Sequence, residues 1–291
     1  MILTALRVAF TLAAVAIAAV IGWQLWTYYT FSPWTRDARV LANVVRVAPD
    51  VSGLISAIHV NDNQRVAKGD LLFEIDPERF EAALEHARGD VAVKTAALQF
   101  ARENAQRYTT LRSENSPAFS AETGEQMNTV AAEAEGALLV AKANLTVAEI
   151  NMRRSKIHAP VNGYVTNLTA VTGDYATAGK GVLALVDSDS FYVYGYFMET
   201  KLPLIQDGAK AKVELMAGNV VLDGVVEGVS RGIANPNDTD GLLAEVAPQF
   251  SWIRLAQRIP VRVRLGDLPP GVRLASGMSA TVIVTPEATK R

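Results

Sequence analysis

The chain has 291 residues, with 28 Lys plus Arg against 30 Asp plus Glu and no cysteine. The formal net charge of −2 comes from interspersed charges and leaves no basic patch of the kind that nucleic-acid binding needs. Without cysteine there is no disulfide, no thiolate metal site and no thiol catalysis, and the length suffices for two or three small domains.

Residues 1–7 read as a short tail and residues 8–29 as a transmembrane helix. From Val8 to Trp26 the run is apolar except at Thr11, Gly22 and Gln24, close to the ~20 residues a single span requires. The run ends in a cluster of Trp23, Trp26, Tyr28, Tyr29 and Trp34, ring types that favour a membrane–water interface. Arg7 and the terminal amine on the short side place the N-terminus in the cytoplasm and the bulk of the chain beyond the membrane. A cleaved signal peptide is the alternative, with the same consequence for the bulk. Pro33 ends the helix. Residues 30–46 then read as a membrane-proximal strand segment, its extended character carried by the Val-rich run Ala38–Val47.

Residues 47–77 and 157–187 form a repeat. At an offset of 110, Gly53 falls on Gly163, Gly69 on Gly179, Ile55 on Val165 and Ile75 on Leu185. Short strands between Asn/Asp/Gly turns imply a small flattened barrel or sandwich, and each copy holds too few strands to bury a core alone. The four glycines mark positions of positive φ or close backbone approach; ordinary loop glycines are the bland alternative.

Residues 78–156 separate the two copies. Good helix formers dominate, with one break at Ser116-Pro117. Apolar or small residues recur at helical spacing: Phe80, Leu84, Ala87, Val91, Leu98, Ala101, Ala105 and Tyr108, interrupted by Lys94. The second row is Met127, Val130, Ala134, Ala137, Ala141, Leu145, Ala148 and Met152. One narrow seam per helix predicts an antiparallel coiled-coil hairpin, each arm of roughly 35 residues being about 50 Å long.

Residues 188–276 carry strand patterns at Phe191–Phe197, Lys210–Met216, Val220–Val229 and Ile259–Leu265, with turn signals between them. They read as an antiparallel β-barrel. Ala280–Val284, within residues 277–291, is expected to pair with the strand after the membrane helix. That pairing would build a membrane-proximal β domain from both ends of the chain. The fold class is α+β, mainly β. No catalytic constellation, phosphate loop or metal spacing stands out. His59, His86 and His158 are isolated from one another, so the chain reads as non-enzymatic and without a cofactor.

The two repeat halves resemble the biotinyl/lipoyl fold, split by an inserted helical hairpin. Carriers of that fold join the halves by a tight turn bearing a modified lysine, whereas Glu74-Ile75-Asp76-Pro77 leads into helix, and Lys68 and Lys180 lie elsewhere. The split pattern is that of the membrane fusion protein family of periplasmic adaptors. Ser32–Arg39, Ala48–Ile55, Ser190–Val193, Glu199–Leu202 and Trp252–Val261 are similar to its aromatic-acid branch, whose pumps export p-hydroxybenzoate.

The resemblance implies an adaptor in the inner membrane of a Gram-negative bacterium, periplasmic in bulk. Its partners would be an inner-membrane transporter, an outer-membrane channel and further copies of itself as a trimer or hexamer. It also implies a channel-docking hairpin tip of the form R-x3-L-x6-S. Arg107 and Leu111 fit, and Ser120 stands two residues late. On the bland reading Arg107 is a solvated helix residue and Ser120 an N-cap. The loop at residues 233–241 is either a transporter contact or a solvated loop. A type I protein secretion adaptor and a lipoyl or biotinyl carrier are the rival functions.

Overall fold

The computed structural model describes residues 2–113, 121–218, 220–232, 256–269 and 271–285. Helix α1 (Ile2–Phe31) leads into β1 (Trp34–Leu41), β2 (Val44–Val47), β3 (Gly53–Ile58), β4 (Arg65–Val66) and β5 (Leu71–Ile75). Two long helices follow, α2 (Glu78–Ser113) and α3 (Ala121–Arg154). After them come β6 (Lys156–His158), β7 (Gly163–Thr166), β8 (Tyr175–Ala176) and β9 (Leu183–Asp187). The chain ends with β10 (Tyr192–Met198), β11 (Lys210–Leu215), β12 (Val221–Val229), β13 (Arg258–Leu265) and β14 (Ser279–Val284). It divides into two compact units, one of residues 1–43 with 188–291 and one of residues 44–187.

The second unit is the repeat. Its two four-stranded sheets run β2-β9-β7-β4 and β6-β5-β3-β8. Exchanging β2 with β6, β9 with β5, β7 with β3 and β4 with β8 turns one sheet into the other, so each sheet is assembled from both halves of the repeat. Each half alone pairs only two strands, β3 with β5 or β7 with β9, and a four-stranded sheet needs both, which is why the halves must meet across the helical insertion. Phe73, Ile55, Leu72, Ile75, Leu185 and Val165 are essentially inaccessible between the sheets. Burying each such side chain is worth about 1.5–3 kcal/mol.

The base of the hairpin is tied by this unit. β5 and β6 are antiparallel neighbours, Glu74 opposite Lys156 and Phe73 opposite Ile157. The Ile75 N–H donates to the carbonyl of buried Ser155 at 2.8 Å. Asp76 caps α2, its carboxylate accepting from the Glu78 N–H at 3.1 Å. Pro77 precedes the first helical residue, where its missing N–H costs nothing. Acidic Glu78 and Glu81 open α2, and basic Arg153 and Arg154 close α3, as the helix dipole favours. Arg154 also forms an ion pair with Asp50.

The first unit is a closed barrel of order β1-β10-β13-β12-β11-β14. Val40, Val193, Phe197, Val213, Val261, Val263 and Val282 fill it. Here the structure corrects two expectations. The terminal strands do pair, Trp34 opposite Ile283 and Ala38 opposite Ala280, but they do not make a separate membrane-proximal domain. They are adjacent staves of the barrel, because the open β10-β13-β12-β11 sheet has two unpaired edges, and β1 and β14 cover them and close on each other. The extended run over Ala38–Val47 is likewise two strands. It breaks at Ala42-Asn43, where the Asn43 N–H donates to Ser190 Oγ at 2.8 Å, and β2 joins the other unit.

Helix α1 is exposed over its described side chains, Trp23 at 74% and Trp26 at 68%. Among the described residues no helix is long and apolar enough to cross a membrane. Within the expected 8–29 span, described side chains cover the run 10–26, and the side chains of Tyr28 and Tyr29 lie outside the described residues.

Candidate functional site

The hairpin is held by a heptad seam without a phase slip. On α2 it uses Phe80, Leu84, Ala87, Val91, Lys94, Leu98, Ala101, Ala105 and Tyr108, in steps of four and three, all buried or half-buried. Lys94 therefore does not interrupt the row; it occupies a seam position with its aliphatic stem partly covered. On α3 the seam is Met127, Ala131, Ala134, Leu138, Ala141, Leu145, Ala148 and Met152. Two expected members are corrected. Val130 is 45% exposed and its place is taken by Ala131, while Leu138, rather than Ala137, is the buried residue of its turn. Keeping the four-three alternation through Met127 and Ala134 demands this, although valine is the more apolar choice. Arg102 on α2 and Glu135 on α3 bridge one flank at 3.0 Å; exposed as they are, such a pair contributes at most ~1 kcal/mol.

At the far end of the described hairpin, Arg107 and Leu111 are exposed on α2. Ser120, the third residue of the expected tip motif, lies outside the described residues, as does the loop at 233–241.

The four repeat glycines fall into two kinds. A Cβ at Gly163 would collide with the Val186 carbonyl, its carbon being 2.9 Å away and its oxygen closer, and one at Gly53 would lie 2.6 Å from Ile75 Cγ2. Gly69 and Gly179 instead have φ of +96° and +79° with open space around them. So the first pair allows close approach and the second allows left-handed turns. Lys68 and Lys180 sit beside those turns, the Lys68 N–H donating to Asn162 Oδ1 at 2.9 Å.

The histidines have structural neighbours. His59 Nε2 lies 3.5 Å from Glu74, His158 Nδ1 is 2.9 Å from the Gly69 carbonyl oxygen, and His86 is exposed on α2. Among the described residues no group of three His, Cys, Asp or Glu could hold a metal ion.

On the barrel, Trp34 is half-buried at the start of β1. The Arg36 guanidinium carbon and Lys201 Nζ lie 5.6 Å and 5.3 Å from its ring centre, and burial lowers the Lys201 pKa. Period-two alternation places Tyr192, Tyr194 and Tyr196 on the outer face of β10. Tyr192 meets Tyr194 edge-on at 5.2 Å and carries the Arg262 guanidinium 4.0 Å over its ring centre. Arg262 in turn pairs with Glu227 at 2.7 Å. Sequence reasoning passed over this layer, although the alternation FYVYGYF signals it. A shallow groove of about 700 Å³ beside it is lined by Lys210, Lys212, Asp223, Val225, Arg264 and Asp267 among others.

Burial raises the pKa of Tyr192 and Tyr196, with neighbouring tyrosines adding to the effect. Because the folded pKa lies above the ordinary value near 10, their contribution to stability is complete below that pH. It is lost as pH rises through the folded value. Alkaline titration followed by circular dichroism should therefore show Tyr192→Phe and Tyr196→Phe moving the unfolding midpoint to higher pH. An unchanged midpoint would exclude these two tyrosines as its cause.

This architecture has known counterparts. Residues 43–188 match the family described as RND MFP, barrel-sandwich hybrid domain, half of the chain. The chain belongs to the membrane fusion protein family. Residues 190–285 of this membrane fusion protein also match the AAEA-like β-barrel domain. Among solved structures it resembles the membrane fusion protein Spr0693 of Streptococcus pneumoniae R6. The identity is 17% over 87% of this chain and 98% of that one, with a TM-score of 0.64. A MacA–MexA chimera carrying the Pseudomonas aeruginosa MexA α-hairpin matches at 22% identity over 89% and 83%, TM-score 0.62. ZneB of Cupriavidus metallidurans matches at 24% over 88% and 99%, TM-score 0.52. At these identities the likeness is one of fold. Members of the family are structural adaptors rather than enzymes, and they work with inner-membrane transporters and outer-membrane channels.

Proposed function

We propose that this membrane fusion protein is the adaptor of an efflux pump, anchored in the inner membrane by α1 and linking a transporter to an outer-membrane channel through its hairpin. The observation that carries the reading is the hairpin itself. A helical pair with 36 and 34 residues in its arms is inserted between halves of a domain whose sheets need both halves. The insertion leaves the core intact and adds a rod with no enzymatic chemistry on it. The apolar run of α1 and its exposed tryptophans support the anchor; Arg107 and Leu111 are the channel contact.

For cargo we propose small aromatic carboxylic acids such as p-hydroxybenzoate. The support is the resemblance of Ser32–Arg39, Ser190–Val193 and Glu199–Leu202 to the aromatic-acid branch, together with the AAEA-like barrel match. The test is growth of a host lacking this adaptor on graded p-hydroxybenzoate. The chain expressed with its own transporter should restore tolerance, and equal sensitivity with and without it would reject that cargo.

A further inference from the structure

Arg36 and Lys201 converge on one indole from two elements. Arg36 stands in β1, and Lys201 in the short 3₁₀ helix Glu199–Leu204 that follows β10. The Arg36 guanidinium carbon is 5.6 Å and Lys201 Nζ 5.3 Å from the Trp34 ring centre, so a single ring gathers two like charges. Among the described residues neither cation has an acid partner. Asp37, next to Arg36 in sequence, is taken by Arg258. Burial alone lowers the Lys201 pKa, whereas a carboxylate beside it would push the other way. Two cations held together without an acid repel, and an anion from outside the chain relieves that repulsion. The remainder of this rim is apolar. At three residues per turn Leu204 shares a face with Lys201; it is 37% exposed, and Met198, the N-cap residue of the same helix, is 51% exposed. A cation flanked by exposed apolar side chains is the composition that suits a lipid headgroup layer, where the apolar groups dip inward and the charge stays among the phosphates.

We infer that this rim of the barrel binds the phosphate of an anionic phospholipid, with Arg36 and Lys201 as its two cationic contacts and Met198 and Leu204 set among the headgroups. Chain connectivity puts the rim within reach. Trp34 opens β1 three residues after Phe31, the last residue of α1, and three residues of chain span at most ~10 Å. With α1 as the anchor, the reading on which this inference rests, the indole and its two cations stay close to the membrane surface whatever the angle of the link. The Arg36 guanidinium offers a planar fork that matches two phosphate oxygens, and Lys201 adds a point charge. One helix fixes the barrel to the bilayer at a single point. A lipid held between Arg36 and Lys201 adds a second, which sets the tilt of the barrel relative to the membrane.

The test places the full-length chain in nanodiscs of phosphatidylcholine, or of phosphatidylcholine mixed with phosphatidylglycerol, and labels it briefly with an amine-acylating reagent. Mass spectrometry then compares the yield at Lys201 with that at Lys212, exposed on β11. Phosphatidylglycerol should lower the Lys201 yield relative to Lys212 about fivefold, the worth of one cation near an anionic surface, and Arg36→Gln should remove most of that protection. Lys201 equally reactive in the two compositions would overturn the proposal. So would equal protection by glycerol 3-phosphate in phosphatidylcholine discs, which marks a site for soluble anions, or protection seen only after the transporter is added. A chain that does not enter the discs refutes the anchor reading instead. Sedimentation with phosphatidylglycerol vesicles then decides the rim by itself. Binding weakened by Arg36→Gln combined with Lys201→Gln supports the assignment, and binding that is absent or unaltered by that pair overturns it.

Discussion

Gly163→Ala is expected to destabilise the barrel-sandwich unit by about 3 kcal/mol or more, at the upper end of single substitutions. Gly163 lies in β7 opposite Asp187 of β9, and its Cβ would occupy the space of the Val186 carbonyl, a backbone group that cannot turn aside. Relief requires β7 and β9 to part at the centre of a sheet that also holds β2 and β4. Its repeat partner provides the control. At Gly53 the obstacle is Ile75 Cγ2, a side-chain atom, and overpacking of that kind costs about 1–3 kcal/mol. Gly69, at φ +96° in open space, should lose about 1–2 kcal/mol on change to alanine through backbone strain alone. Urea unfolding of the three variants should rank them Gly163, then Gly53, then Gly69. A Gly163→Ala protein as stable as the parent would mean that β7 and β9 do not pair as described.

Excision of the hairpin should separate folding from function. Glu74 and Lys156 face each other across β5 and β6, so residues 77–154 can be replaced by a short Asn-Gly turn of the type that joins adjacent antiparallel strands. Both sheets and both hydrophobic clusters lie outside the excised stretch apart from Phe80, which packs against the edge of one. The shortened chain should fold and unfold cooperatively with near-parental stability, while efflux in cells falls to the level seen without any adaptor. Efflux sustained by that shortened chain would show that the rod is not part of the export route.

Much of this architecture could be read from residue patterns. The offset of 110 between Gly53 and Gly163 announced two interlocking halves, and the Asp76-Pro77-Glu78 start and four-three spacing announced a hairpin. What escaped had physical reasons. Apolarity alone points to Val130 and Ala137 on α3, whereas a coiled coil takes whichever residue the four-three alternation delivers, even Ala131. The terminal strands looked like a separate domain because pairing between β1 and β14 is visible in sequence, but the need of β10 and β11 for edge partners is a property of the assembled sheet.

An adaptor of this design works only if its hairpin meets a channel. A photo-crosslinking residue placed at Arg107 or Leu111 of the full-length chain, in cells expressing the transporter and an outer-membrane channel, tests this directly, with Arg88 nearer the base as the comparison. An adduct with the channel is expected from positions 107 and 111 and none from position 88. Channel capture absent at 107 and 111, with adducts to inner-membrane proteins alone, would contradict it.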